Sequence, residues 1–413
     1  MTDIDINGER LLTSLQELGR IGALEGGGVC RLALTDEDQA GRDWVVAQMR
    51  ALGMSVSVDG IGNVVGVYAG EQDLPPVMAG SHIDTVRTGG LYDGNYGVLA
   101  GLEVVRTLKD AGIRTPKPLA VAFFTNEEGS RFAPDMMGSL VFQGDLSLAA
   151  ALDTKGIDGS TVRENLERIG YRGSAPTGAA KVDSYVELHI EQGPVLDIER
   201  ITIGAVEGVQ GISWTEFTVS GVSNHAGTTP MRLRHDAGQV AARVACFARE
   251  LAQELDGDQV ATVGSMTVFP NLVNVIPNRV VFTVDLRNTD GAVLRTAEQR
   301  LWAFAEESAA AEGTELSRRS LARFDPVAFH PELVNRVEQT ARELGYSVKR
   351  LPSGAGHDAQ ILARACPAAM IFVPSVAGLS HNVREHTQPA DLIAGARVLL
   401  RVLTQLAGRN ASA

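Results

Sequence analysis

Three cysteines in 413 residues, Cys30, Cys246 and Cys366, lie far apart, and no C-x-x-C pair occurs. That scarcity excludes a disulfide framework and a thiolate zinc site and fits a reducing cytoplasm. No run approaches the roughly 18 apolar residues of a membrane span. The acidic opening MTDIDINGERLL also lacks the basic segment and apolar stretch of a secretory leader, so a cytoplasmic, unanchored chain is expected. Positive charge is short as well: 37 Lys and Arg stand against 50 Asp and Glu, a net charge of -13. Such a balance opposes a footprint on nucleic acid or an anionic membrane and points to a small-molecule partner. The absence of G-x-S-x-G argues against a serine hydrolase. The three thiols lie outside the glycine-rich loops that end the strands, which argues against a thiol amidase. Internal repeats and low-complexity tracts are missing too.

What is present alternates. The length exceeds the roughly 250–300 residues at which a single core stops growing, so two domains are expected. Leu11, Leu12, Leu15 and Leu18 mark an amphipathic helix over 7–19, and Thr35 followed by Asp36, Glu37 and Asp38 marks a capped start of the next. MSVSVD and NVVGVYAG read as paired strands, PPVMAG as a buried strand, 98–109 as a helix, and PLAVAFFT and SYVELHI as further strands. This pattern predicts an α/β catalytic domain with a mainly parallel sheet covered on both faces and ligands beyond the carboxyl ends of the strands. From ISWTEFTVSG onward, helices over 236–254 and 291–312, the strands QVATVGSMTVF and RVVFTVDLR, and a short strand near Leu316 give β-α-β-β-α-β. That is the order of a ferredoxin-like α+β sandwich. The expected organisation is therefore a catalytic domain in two parts, 1–210 and 326–413, with 211–325 inserted.

The chemistry centres on Gly80–Gly97, GSHIDTVRTGGLYDGNYG, where a buried strand runs into His82, Asp84 and Asp93. Burying such groups is costly unless a cation or another partner compensates. Matching residues follow other apolar strands: Glu127 and Glu128, His189, and, far downstream, His381. Imidazoles and carboxylates without thiolates suit zinc, manganese, cobalt or nickel in a catalytic site. Five ligands, His82, Asp93, Glu128, His189 and His381, are too many for one open zinc site. They suffice for two divalent ions if Asp93 bridges, and such a pair acidifies water and polarises a carbonyl. Asp84 is expected to fix the His82 tautomer with its carboxylate. Adjacent residues at a strand end point apart, so Glu128 is assigned to metal and Glu127 to general acid-base work. Taken singly, these features have plainer readings: a solvated EE turn, a turn with a histidine in SNHAGTTP, or a helix entry capped by Ser353 in SGAGHDA. His235, His330 and His386 are read as ordinary hydrogen-bonded histidines.

In order, GSHIDTV, DGNYGVLAGLEV, TNEEGSRF, ELHIEQGPVL, SNHAGTTPMRLRHDA, NVIPNRVVFTVDLR, SGAGHDA and GLSHN resemble the carbamoylase branch of the dinuclear metallopeptidase superfamily. That branch holds N-carbamoyl-L-amino acid amidohydrolases, β-ureidopropionases and allantoate amidohydrolases, and the likeness covers about residues 7–408. It implies a zinc-exopeptidase-like catalytic domain and an inserted domain that dimerises and closes as a lid. His82, Asp93 and His189 would hold one metal and Asp93, Glu128 and His381 the other, with Glu127 as base. His225 would reach the other subunit's site in a homodimer and stabilise an oxyanion. Asn274 and Arg287 would grip the substrate carboxylate, and Gln192, Gly356 and His357 would line the pocket. The implied reaction is hydrolysis of a ureido C–N bond in N-carbamoyl-L-amino acids or N-carbamoyl-β-alanine. Allantoate is the nearest alternative; a dipeptidase or aminoacylase, or a scaffold without catalysis, stands further off. FAPDMMGS and GLYDGNYGVLAGLEV lean toward the carbamoylases.

Overall fold

Helix starts follow the capping residues written in the chain. Thr35 accepts the Asp38 N–H at 3.3 Å and opens Asp36–Ala51, whose first turn carries three carboxylates at the positive end of the helix dipole. Asn7 caps Gly8–Gly19, Asp236 caps Ala237–Leu255, and Pro389 sits in the first turn of Pro389–Leu406, where its missing N–H costs nothing. The computed structural model describes residues 4–177 and 181–408.

The strands, in chain order, are β1 (Ser55–Val58), β2 (Val64–Tyr68), β3 (Val77–His82), β4 (Leu119–Phe124), β5 (Ser184–Ile190) and β6 (Ile203–Val209). They continue with β7 (Gly211–Ser220), β8 (Val260–Phe269), β9 (Arg279–Asn288), β10 (Glu315–Phe324), β11 (Val327–Ala328), β12 (Val348–Ser353) and β13 (Ala368–Val373). One compact unit takes the chain up to Gly208 and from Ala328 onward, and a second is Val209–Val327.

The first unit is built on a sheet ordered β1-β2-β4-β3-β5-β13-β6-β11, with β12 paired to β6. Its middle four strands, β4, β3, β5 and β13, run parallel, whereas the pairs β1–β2, β2–β4 and β13–β6 are antiparallel. Every residue of β3, β4, β5 and β13 is buried, as expected where helices cover both faces. Asn95–Asp110 and Pro389–Leu406 pack on this centre, as do the short helices Met137–Gln143 and Asp358–Leu362. Fully buried Phe123, Phe124 and Phe372 each contribute about 1.5–3 kcal/mol of apolar burial. Two features differ from the sequence reading. β6 returns antiparallel beside β13, a long-range pairing that its own pattern does not announce. The helix expected from 98 begins at Asn95, directly after the Asp93-Gly94 turn.

The second unit is a four-stranded antiparallel sheet, β10-β7-β9-β8, with Ala237–Leu255 and Gly291–Glu312 packed on it in β-α-β-β-α-β order. Alternate residues of β7 and β9 turn inward, and Phe217 stacks on Phe282 at 5.3 Å within that core. The strand near Leu316 is not short: β10 runs ten residues because it pairs along the length of β7. Among the described residues, no helix is long and apolar enough to cross a membrane.

Candidate metal centre

Because β3, β4, β5 and β13 are parallel, their carboxyl ends share one edge of the sheet. His82 is the last residue of β3, His189 the last but one of β5, and the loops after β3, β4 and β13 carry Asp93, Glu127 with Glu128, and His381. Asp93 stands at the centre. Its Oδ1 lies 3.5 Å from His82 Nε2 and 3.2 Å from His189 Nε2. Its Oδ2 lies 3.4 Å from His381 Nε2, which is itself 3.3 Å from Glu128 Oε2. His82 Nε2 is also 3.5 Å from Glu127 Oε2.

These separations suit cations better than direct hydrogen bonds. Two ligand atoms about 2.0–2.2 Å from a zinc ion at a tetrahedral angle stand about 3.4 Å apart. His82 Nδ1 is 2.9 Å from the Asp84 carbonyl and His189 Nδ1 2.8 Å from the Ile190 carbonyl. Each Nδ1 therefore carries its proton to a main-chain oxygen, which leaves Nε2, the ring atom nearest Asp93, as the one a cation would take. His82, Asp93 and His189 form one group of potential ligands within 4.8 Å, and Asp93, Glu128 and His381 a second. A third group, Glu187, His189 and His357, is less suited, since Glu187 already accepts Ser81 Oγ at 2.6 Å and the Ala359 N–H at 2.8 Å.

One expectation is corrected here. The Asp84 carboxylate does not face the His82 ring; the Asp84 main-chain carbonyl does. The carboxylate instead accepts the main-chain N–H of Glu127 at 3.3 Å and of Glu128 at 3.4 Å, fixing the turn that displays both glutamates. SGAGHDA also differs from the capped-entry reading: the residue at the cap of Asp358–Leu362 is His357, not Ser353.

Residues that the sequence reading passed over hold the loops. Arg31, fully buried, donates to the Ile83 carbonyl at 2.7 Å and to Asn95 Oδ1 at 2.7 Å, gripping the chain beside His82 and beside Asp93. Glu385 accepts the N–H groups of Tyr92 at 3.1 Å and Asp93 at 3.3 Å, while Ser380 donates to its other oxygen at 3.1 Å. It ties the Asp93 loop to the His381 loop. Gly90 is needed there, because a Cβ would run into the Glu385 carboxyl. Neither residue carries a local motif; their roles appear only when loops some 50 to 290 residues apart meet.

Charge follows from this crowding. Burial alone would raise Asp93, but the facing His189, His381 and His82 outweigh it and hold the carboxyl well below its usual range. Burial and the Asp93 charge push Glu128 up to about 8, and burial pushes Glu127 well above the ordinary carboxyl range. The bond with Asp93 raises His381 to about 9. His357, desolvated and 4.6 Å from the His189 ring, is held well below the usual imidazole value. It is therefore neutral, and its Nε2 is 2.9 Å from Ser353 Oγ.

A cavity of about 120 Å³ opens on this centre, lined by both glutamates, Gln192, Gly356, His357 and Asp135 among others. Gln192 donates to Asp93 Oδ2 at 2.9 Å and to Ser380 Oγ at 3.2 Å. In the second unit His225 and Asn274 are brought side by side: Ala226 N–H donates to the Asn274 carbonyl at 2.9 Å, and His225 bridges Val275. Both are exposed. Arg287 lies on β9, its fork on Asp285 at 2.9–3.2 Å and its guanidinium carbon 5.9 Å from the Trp214 ring.

Residues 78–405 match the peptidase family M20/M25/M40. The chain is 43% identical over 403 residues to an N-carbamoyl-L-amino-acid amidohydrolase of Rhizobium meliloti, covering 97% of both chains. It is 35% identical to an allantoate amidohydrolase of Bacillus subtilis over 95% of this chain and 96% of that one. A solved hydantoinase/carbamoylase family amidase from Burkholderia multivorans superposes with a TM-score of 0.96 at 47% identity, covering 99% of this chain and 100% of that chain.

Proposed function

The chain belongs to the peptidase family M20/M25/M40, and from that premise we propose that it hydrolyses the ureido C–N bond of N-carbamoyl-L-amino acids. The observation that carries this reading is Asp93 standing between two ligand groups with Glu127 beside His82. His82, Asp93 and His189 would hold one divalent ion and Asp93, Glu128 and His381 another. All the ligand atoms are nitrogen and oxygen, which suits zinc, with manganese, cobalt and nickel as competitors. When bound, the ions supply Lewis acidity toward the carbamoyl oxygen and a lowered pKa for water.

The chain's own residues do the rest. Glu127, which burial otherwise keeps protonated, would be ionised beside bound cations. As the carboxylate it takes a proton from water as the water oxygen adds to the carbamoyl carbon, then returns that proton to the departing nitrogen. The bond between the amino-acid nitrogen and the carbamoyl carbon breaks, the free amino acid and carbamic acid leave, and the carbamic acid then loses its own C–N bond to give carbon dioxide and ammonia. Asp84 keeps Glu127 in place through its main-chain N–H. Gln192, Gly356 and neutral His357 border the carbamoyl group.

We extend the reading to Val209–Val327 as a lid and dimerisation module. In the homodimer His225 of the partner subunit would donate to the developing oxyanion, and Asn274 and Arg287 would hold the substrate carboxylate. Exposed Leu272 and Val273 beside Asn274 support a surface that becomes covered. The free thiols of Cys30, Cys246 and Cys366 support a reducing, cytoplasmic setting.

The test is ammonia release by purified, metal-supplemented protein from N-carbamoyl-L-amino acids, N-carbamoyl-β-alanine, allantoate and dipeptides. Preference for an N-carbamoyl-L-amino acid supports the proposal; preference for allantoate or a dipeptide overturns it.

A further inference from the structure

Asp135 is a carboxylate in the cavity that the metal groups leave unused. It lines the same cavity as Glu127, Glu128 and His357, yet it belongs to none of the ligand groups among the described residues. Its surroundings offer it almost nothing: among the described residues, the one donor that bears on its carboxyl is its own main-chain N–H. It is half-buried, so this lack of partners leaves an acceptor facing the cavity.

Its position relative to Glu127 is fixed from both sides. Asn126 Nδ2 donates to the Pro134 carbonyl at 3.1 Å, and Met136 N–H donates to the Glu127 carbonyl at 2.7 Å. Asn126 and Met136 both adopt positive φ, +57° and +51°, a conformation that non-glycine residues hold only when their surroundings enforce it. Gly129 permits the approach, since a Cβ there would meet Asp135 at 2.8–2.9 Å. A second acceptor shares the deficit: Gln192 Oε1 is buried without a hydrogen-bond partner, while its amide nitrogen is committed to Asp93 and Ser380. Two acceptors lacking donors therefore border one small polar space.

We propose that Asp135 is the specificity-determining acceptor for the terminal –NH2 of the carbamoyl group. Through it the site takes ureido acids in preference to N-acyl acids, which carry a methyl group at the same place. The ureido group supplies N–H donors on both sides of its carbonyl, which is what Asp135 and Gln192 lack. A methyl group keeps the amide N–H but would leave Asp135 desolvated and unpaired, and that penalty is the basis of selection. The same negative charge turns the substrate's own carboxylate away from the metal side of the cavity and so favours one orientation. This assignment rests on the proposed ureido hydrolysis and says which group of that substrate the cavity reads.

The test compares kcat/KM for N-carbamoyl-L-alanine and N-acetyl-L-alanine in the metal-supplemented full chain and in Asp135→Ala and Asp135→Asn. Loss of a hydrogen bond to a charged acceptor should narrow the carbamoyl-to-acetyl ratio by about 10- to 100-fold in Asp135→Ala. Asp135→Asn keeps the shape and one acceptor oxygen and should give an intermediate ratio. It also provides the measurement if the alanine variant fails to fold. A fall of both substrates by the same factor would overturn the assignment and make Asp135 a merely structural residue. Wild-type protein that cleaves no carbamoyl substrate would overturn the ureido reading itself, and this assignment with it.

Discussion

Gly94 lies directly against the imidazole of His82. With φ at +65°, it turns the chain from Asp93 into the helix Asn95–Asp110, and a Cβ placed on it would stand 2.5 Å from His82 Cδ2 and Cε1. Gly94→Ala must therefore move the ring, and with it a nitrogen that faces Asp93. Positive φ and overpacking together should cost at least about 2 kcal/mol. The expected outcome is a lower melting temperature with reduced metal content, measured by thermal unfolding and elemental analysis.

The adjacent glutamates should separate cleanly. Glu127→Gln is expected to lower kcat by at least about 100-fold, the usual scale of a lost general base, while metal content stays at the wild-type level. Glu128→Gln, which replaces a carboxylate 3.3 Å from His381 Nε2, should lose metal. Elemental analysis beside steady-state kinetics checks both. The opposite pattern would exchange their roles.

Metal uptake should depend on pH with a definite sign. Without metal, the bond with Asp93 raises His381 to about 9, and burial with the Asp93 charge raises Glu128 to about 8. Both groups therefore hold protons at pH 7 that a cation must displace, so affinity rises as pH increases to roughly 8–9 and levels off above. Calorimetric titration in buffers of different ionisation heat should show proton release at pH 7 that diminishes by about pH 9.

Arg287 offers a planar fork, now resting on Asp285. If it grips the substrate carboxylate, Arg287→Lys should raise KM by about 10- to 100-fold with a smaller effect on kcat, since an ammonium cannot pair bidentately. The melting temperature should change little, because a partly exposed pair contributes at most about 1 kcal/mol. Steady-state kinetics and thermal unfolding measure the two effects.

The sequence exposes whatever is set locally. Thr35, Asp236 and Pro389 mark helix starts, because a cap acts on the residues next to it. The buried runs VMAGSH and AAMIFV mark strands, since both faces of a parallel strand are covered. His82, Asp93, Glu127, Glu128, His189 and His381 are legible as a set because each lies at or beyond the carboxyl end of an apolar strand. What remained hidden depends on distant loops meeting. β6 takes its place from pairing with β13, and Glu385 and Arg31 take theirs from loops that they hold together. The sequence puts Asp84 at the right centre but not the right atom, since two residues of spacing cannot tell a main-chain carbonyl from a carboxylate.

The most direct measurement is a metal titration of chelator-stripped protein, following ammonia release from an N-carbamoyl-L-amino acid as ions are added. Asp93 between two ligand groups predicts no turnover without metal and activity that reaches its plateau at two ions per chain. Full activity in the stripped protein, or a plateau at one ion, would contradict the account.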